Sequence, residues 1–319
     1  MTNPYSDREN TSGSTLPIAL IQQQYSQEQG KNIAANISAI RKAAQGGAKL
    51  VVLSELHTSL YFCQTHNYDN FELAEPIPGK TTDAFAAVAK QENIVLVTSL
   101  FERRSTAIYH NSAVVLDCDG SIAGIYRKMH IPDDPGYHEK FYFTPGDLGF
   151  EPIATSIGKL GVLICWDQWY PEAARLMTLA GAEILVYPTA IGWDPDDDKA
   201  EQQRQLEAWI TIQRSHAIAN GVPLISVNRV GFEKDLSKKT AGAQFWGNSF
   251  VVGAQGEFIA RANNSDNTIL YTKIDLQQNK QVRQIWPFMR DRRVDAYSGL
   301  TQRWLEKTIT SNSTSTDKR

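Results

Sequence analysis

The segment Asn111-Ser112-Ala113-Val114-Val115 returns 137 residues later as Asn248-Ser249-Phe250-Val251-Val252, and Gly47-Ala48-Lys49-Leu50-Val51-Val52 returns 134 residues later as Gly181-Ala182-Glu183-Ile184-Leu185-Val186. A period that long describes two similar halves of one domain, not a solenoid of short units. In the first half, residues 18–21, 50–53 and 94–100 read as strands alternating with helical patterns over 32–44 and 82–91, the rhythm of an α/β sheet. A hairpin follows, because residues 112–116 and 122–126 flank the turn Asp117-Cys118-Asp119-Gly120. The second half repeats the course with strands at 160–164, 184–187 and 224–227, helices at 171–179 and 202–219, and a hairpin across Gly253-Ala254-Gln255-Gly256. The simplest packing of two such halves sets two mixed sheets face to face with helices outside, a four-layer α-β-β-α sandwich.

A length of 319 residues suits one large α/β domain as well as two smaller ones, so the choice rests on whether a linker divides the chain. None does. The expected organisation is a flexible tail over residues 1–15, a single domain over 16–300 and an extension over 301–319 that is loose or used in oligomer contacts. With 32 basic against 35 acidic side chains there is no global attraction for nucleic acid or for an anionic membrane, which points to a small-molecule partner. No apolar run approaches the roughly 20 residues of a bilayer span, and the first fifteen residues are polar where a signal peptide would be apolar. The expected compartment is the cytoplasm. The cysteines, Cys63, Cys118 and Cys165, are too few and too scattered for a disulfide framework or a zinc site, and the histidines show no i, i+4 pair. Neither a metal nor a cofactor is expected.

Cys165 closes the apolar run Leu160-Gly161-Val162-Leu163-Ile164, and Pro171 shortly after suits a first helical turn. A strand-turn-helix passage projects a nucleophile from a rigid strand and leaves backbone N–H groups free to face an oxyanion. Taken alone, such a cysteine is more often a buried strand end. A thiol at neutral pH also needs a base or a cation nearby. Glu55 ends the run Leu50-Val51-Val52-Leu53-Ser54, and Lys128 follows the hairpin strand 122–126. The repeat lets these strand ends converge on one sheet edge, although singly each reads as a solvated charge.

Together they resemble the nitrilase superfamily. Leu53-Ser54-Glu55, Tyr126-Arg127-Lys128-Met129-His130 and Ile164-Cys165-Trp166-Asp167-Gln168-Trp169-Tyr170-Pro171-Glu172 look like the segments carrying that family's glutamate base, lysine and cysteine nucleophile, in that order. The likeness extends through Phe141-Tyr142-Phe143-Thr144-Pro145-Gly146-Asp147, Tyr187-Pro188-Thr189-Ala190 and His216-Ala217-Ile218-Ala219-Asn220, over roughly residues 15–300. It implies the α-β-β-α fold, a Glu55-Lys128-Cys165 triad, an oxyanion held by Lys128 and the N–H of Trp166, and homo-oligomers. Glu139 resembles a second acidic residue that orients Lys128 and the substrate amide.

Cys165-Trp166-Asp167 departs from the Cys-Trp-Glu of true nitrilases, which favours an amide or carbamoyl substrate over a nitrile. Asp194, Asp196, Asp197 and Asp198 follow the strand 184–187, and carboxylates there would attract a substrate with a distant ammonium. The expected partner is therefore a cationic carbamoyl amine. The resemblance points to Asp194 as the residue facing its free amine, with Asp196, Asp197 and Asp198 read as an exposed acidic turn. Tyr61, Phe62 and Trp166 are candidates to line its methylenes. Two departures bear on chain length: Trp193 stands where a small polar residue is expected, and Asp194 is a methylene shorter than the expected glutamate. A hydrolase of anionic ureido acids or monoamides, and a non-catalytic α/β binding module, are the competing readings.

Overall fold

The computed structural model describes residues 15–306. All but the last residue of the expected N-terminal tail lies outside the described residues, and that last one, Thr15, already belongs to a strand. The C-terminal extension is described only through 301–306, which is exposed throughout.

The first half contains β1 (Thr15–Gln22), α1 (Gln29–Gln45), β2 (Leu50–Leu53), α2 (Lys80–Glu92), β3 (Val95–Ser105), β4 (Ile108–Leu116) and β5 (Ile122–Arg127). The second contains β6 (Ile153–Thr155), β7 (Gly158–Val162), α3 (Pro171–Leu179), β8 (Ile184–Pro188), β9 (Gly192–Trp193), α4 (Lys199–Asn220), β10 (Leu224–Val227), β11 (Val230–Glu233), β12 (Ala243–Trp246), β13 (Phe250–Val252), β14 (Phe258–Arg261), β15 (Thr268–Asp275) and α5 (Leu276–Ile285). Local chemistry marks several ends. Pro171 opens α3; Asp198 caps α4 by accepting the N–H of Glu201 at 2.8 Å, and Gly221, at φ +62°, ends it.

The strands form two six-stranded sheets, ordered β15-β1-β2-β3-β4-β5 and β14-β13-β10-β8-β7-β6, and a small sheet β11-β12-β9. In the first, β1, β2 and β3 are parallel, and β4 and β5 complete an antiparallel hairpin. In the second, β7, β8 and β10 are parallel, and β13 and β14 complete the matching hairpin. The sequence repeat is thus a repeat of topology. Each sheet also gains an antiparallel strand beside its first, β15 on β1 and β6 on β7, which periodicity did not predict.

Alternation along the strands sorts the core into layers. Ile18, Leu20, Leu50, Val52, Val95 and Val97 belong to the cluster shared with the second sheet. Their neighbours Ala19, Ile21, Val51, Leu53 and Leu96 pack with Ile40 and Ala43 of α1 and Phe85 and Val88 of α2. Strands covered on both faces must be apolar throughout, which is why residues 50–53 carry no polar position. On the far side, Ala173, Ala174 and Met177 of α3 and Trp209, Ile210 and Ala217 of α4 cover the second sheet. Each large side chain buried this way contributes roughly 1.5–3 kcal/mol.

One buried polar residue in the first half carries a pH dependence. The His57 ring lies 2.6 Å from the Thr98 hydroxyl and accepts the Ser99 N–H at 3.2 Å. Burial, reinforced by Arg229, pushes its pKa down to about 3. The unfolded chain therefore takes up a proton near pH 6.5 that the native state refuses until about pH 3. Stability falls across that window as pH drops, by up to about 1.4 kcal/mol per pH unit. Comparing denaturant unfolding at pH 6.5 and 4.5 should show a smaller acid loss in His57→Gln than in the parent, and equal losses would refute the assignment.

Candidate active site

β5 runs in the same direction as β2, being antiparallel to β4, which is antiparallel to β3. The residues that follow β2 and β5, Glu55 and Lys128, therefore leave the first sheet at the same edge. β7 ends at Val162, two residues earlier than the apolar run suggests. Leu163 still donates its N–H to Val186 O at 2.9 Å, and Cys165 begins a single 3-10 turn, Cys165–Trp169.

Cys165 has φ of +42°, the left-handed region that a β-substituted residue enters at a cost of order 1–3 kcal/mol. Such a turn aims the side chain away from the sheet. The N–H of Trp166 lies in the first turn, where a helix has no internal acceptor to offer. The thiol is buried and contacts Ala190 O at 3.8 Å. Burial, reinforced by Glu55 and opposed by Lys128, pushes its pKa well above the usual thiol value. A shift in that direction favours the protonated thiol, so any attack by this sulfur calls for a base that removes the proton as the bond forms.

Lys128 is fully buried between two carboxylates, with Nζ 2.8 Å from Glu55 Oε1 and 2.7 Å from Glu139 Oε2. Burial alone would drive the ammonium toward neutrality. Glu139 and Glu55 outweigh it and hold the lysine pKa well above its ordinary value. Burial raises Glu139 above the usual carboxylate range, against the pull of Lys128. Glu55 Oε2 is buried with no hydrogen-bond partner among the described residues, an acceptor free to receive a proton. The arrangement offers a fixed cation, a base and a buried thiol whose titration senses all three charges.

Several residues that hold this arrangement are invisible to motif reading. Asn111 donates to Glu55 Oε1 at 2.6 Å, and its carbonyl accepts the N–H of Lys128 at 2.9 Å. Its place at the head of the repeated Asn-Ser segment was the available signal. Arg229, buried, donates to Glu55 O at 3.1 Å, to Ser59 O at 3.0 Å and to Leu56 O, and pairs with Glu233 at 2.7 Å. It thereby pins the loop that carries Glu55. Arg127, next to Lys128, makes a bidentate pair with Glu102 at 2.6 and 2.8 Å.

A cavity of about 350 Å³ opens onto Cys165 and Glu139, with Trp166, Trp169, Ile191, Gly192 and Trp246 among its walls. Gly192 sits in β9 so close to the backbone of Gln244 in β12 that no Cβ would fit. Carboxylates in the lining come from Asp134, Asp194 and Asp197 in addition to Glu139, and no lysine or arginine is among its residues. Asp194 is exposed and its Oδ1 accepts the N–H of Asp196 at 2.9 Å. Asp197, expected only in an exposed turn, also faces the cavity, held by Gln205 at 2.9 Å.

Tyr61 and Phe62 are placed differently from the expectation. The Tyr61 hydroxyl donates to Glu139 Oε1 at 2.7 Å, so the ring stands behind the carboxylate and off the cavity wall. Phe62 stacks on Phe101 at 5.0 Å in a separate aromatic cluster. Trp193 turns away as well, its indole N–H donating to Gln202 O at 2.8 Å.

Residues 17–284 match the family model described as carbon-nitrogen hydrolase. The chain belongs to the carbon-nitrogen hydrolase family. A carbon-nitrogen hydrolase solved from Helicobacter pylori G27 is 53% identical, with a TM-score of 0.89, covering 91% of this chain and all of that one. An N-carbamoylputrescine amidase of Oryza sativa subsp. japonica is 42% identical over 90% of this chain and 95% of its own. A citrullinase of Francisella tularensis subsp. tularensis is 40% identical over 91% and 99%. This carbon-nitrogen hydrolase has the α-β-β-α fold of the nitrilase superfamily, and among its described residues no helix is long and apolar enough to cross a membrane.

Proposed function

We propose that this carbon-nitrogen hydrolase converts N-carbamoylputrescine to putrescine, carbon dioxide and ammonia through a thioester on Cys165. That reaction would serve putrescine formation from arginine by way of agmatine. Glu55 accepts the thiol proton while sulfur adds to the carbamoyl carbon, and Lys128 with the N–H of Trp166 carries the negative charge on oxygen. Glu55 then returns the proton to the departing nitrogen, leaving the thioester. Water, deprotonated by Glu55, adds to that carbon; the carbon-sulfur bond breaks, Cys165 recovers its proton, and the released carbamate loses carbon dioxide. Glu139 keeps Lys128 charged and oriented throughout.

The observation that carries the substrate reading is the sign of the cavity. Its lining has three aspartates beyond the catalytic carboxylates and no basic side chain to meet a substrate carboxylate. A diamine tail suits it; the carboxylate of 3-ureidopropionate meets only like charge, and zwitterionic citrulline brings a carboxylate beside its ammonium. Ammonia release should therefore be at least about tenfold more efficient in kcat/KM with N-carbamoylputrescine than with citrulline, 3-ureidopropionate or uncharged N-butylurea, a gap of about 1.4 kcal/mol. Asp194→Asn should narrow the gap between N-carbamoylputrescine and N-butylurea. Equal or better turnover of either carboxylate-bearing substrate would sink the substrate assignment.

A further inference from the structure

We propose that Asp167 is a positioning residue that sets the separation of Cys165 from Lys128 by tying their two segments to one buried carboxylate. This rests on the reading of Cys165 as nucleophile and Lys128 as oxyanion donor. Asp167 is fully buried and all of its accepting positions go to protein donors, which leaves it none to offer a substrate. Its Oδ2 accepts the N–H of Ile164 at 2.9 Å and the Tyr126 hydroxyl at 2.8 Å. Its Oδ1 accepts the N–H of His130 at 3.0 Å and the His130 ring Nδ1–H at 2.7 Å.

These four donors fill the accepting capacity of a carboxylate. They come from two places that matter. Ile164 immediately precedes Cys165, and Tyr126 and His130 stand two residues on either side of Lys128. The N–H of Asp167 also returns to Ile164 O at 3.0 Å, closing the turn in which Cys165 takes its positive φ. A strained conformation persists only where its surroundings over-determine it, and here the same residue supplies both the turn closure and the cross-link. The His130 ring stacks on Tyr170 at 3.8 Å, and the Tyr170 hydroxyl accepts the Trp166 indole N–H at 3.2 Å. The residue that offers the second oxyanion donor is therefore held by the same network.

Asp167→Asn keeps the volume but turns one acceptor into a donor at a site where every partner donates. Tyr126→Phe removes one of the four bonds without adding or moving a charge. For Asp167→Asn, kcat with N-carbamoylputrescine should fall about a hundredfold while KM stays within about threefold, as expected when reacting groups are displaced by roughly an ångström. Alkylation of Cys165 by iodoacetamide at neutral pH should slow about tenfold in the folded variant, a change that lost stability alone would not cause. Tyr126→Phe should lower kcat by about tenfold, with the same unchanged KM. If Asp167→Asn does not fold, Tyr126→Phe decides by itself. Folded variants with parental kcat and alkylation rate, or with a raised KM and intact kcat, overturn the proposal whatever their Tm. Activity surviving in Cys165→Ala would instead remove the mechanism on which it rests.

Discussion

Replacing Cys165 with alanine should abolish ammonia release, lowering kcat by a factor on the order of 10⁴ or more, because loss of a nucleophile removes the covalent route altogether. The exchange deletes one sulfur from a buried site and leaves the surrounding hydrogen bonds in place, so the protein should fold and bind substrate. No other thiol is placed to substitute. Cys63 is buried in a different cluster, with its pKa pushed well up by burial and then by Glu139, and it is absent from the cavity lining. Mass spectrometry of acid-quenched turnover should detect an acyl adduct on the parent that maps to Cys165 and is missing from the variant. An adduct elsewhere, or activity within tenfold of the parent, would refute the role.

Lys128→Ala should be nearly as damaging, by two separable routes. Among the described residues the ammonium is the only side-chain cation paired with both Glu55 and Glu139, and on the proposed mechanism the loss of one preorganised oxyanion donor costs about 3 kcal/mol, a hundredfold or more in kcat. Stability should fall too, because two buried carboxylates are left facing each other; breaking a buried pair from one side typically costs about 3–5 kcal/mol. One of the two must then take up a proton. The stability loss should therefore shrink as pH is lowered toward 5, where protonation relieves the repulsion, while kcat per folded molecule stays low at every pH. A variant with normal kcat would remove Lys128 from the oxyanion site. One whose stability loss is independent of pH would contradict the charge balance described for the buried cluster.

How much of this could be read from the chain depends on the distance over which each signal acts. Strands such as Leu50–Leu53 and Leu224–Val227 and the helix Pro171–Leu179 announce themselves by local period and punctuation, and the structure places them at those bounds. Glu55, Lys128 and Cys165 stand at or just past strand ends, where each alone reads as a solvated charge or a buried thiol, and only the likeness of their segments to the nitrilase superfamily joins them. The small sheet was not legible. Its β9 is two residues long, below any periodicity, and exists because Gly192 lets the chain press on Gln244. Arg229 reaches back across 174 positions to Glu55, a relation no window along the sequence contains. Nothing near Tyr61 in the sequence tells a pocket wall from ordinary packing; its hydroxyl donates to Glu139, 78 positions away. Asp197 reads from the sequence as part of an exposed acidic turn, because the individual directions of four aspartates depend on the turn that precedes α4.

The antiparallel partnership of β1 with β15 joins the first and last strands of the described residues, pairing Thr15 with Asp275 and Gln22 with Thr268. During synthesis β1 must wait, one edge uncovered, until the chain through Asp275 has emerged from the ribosome. Long waits of that kind slow folding and leave a sticky edge exposed to other nascent chains. Completion of the first sheet is thereby gated by the synthesis of β15, and products that stop short of it are denied that strand.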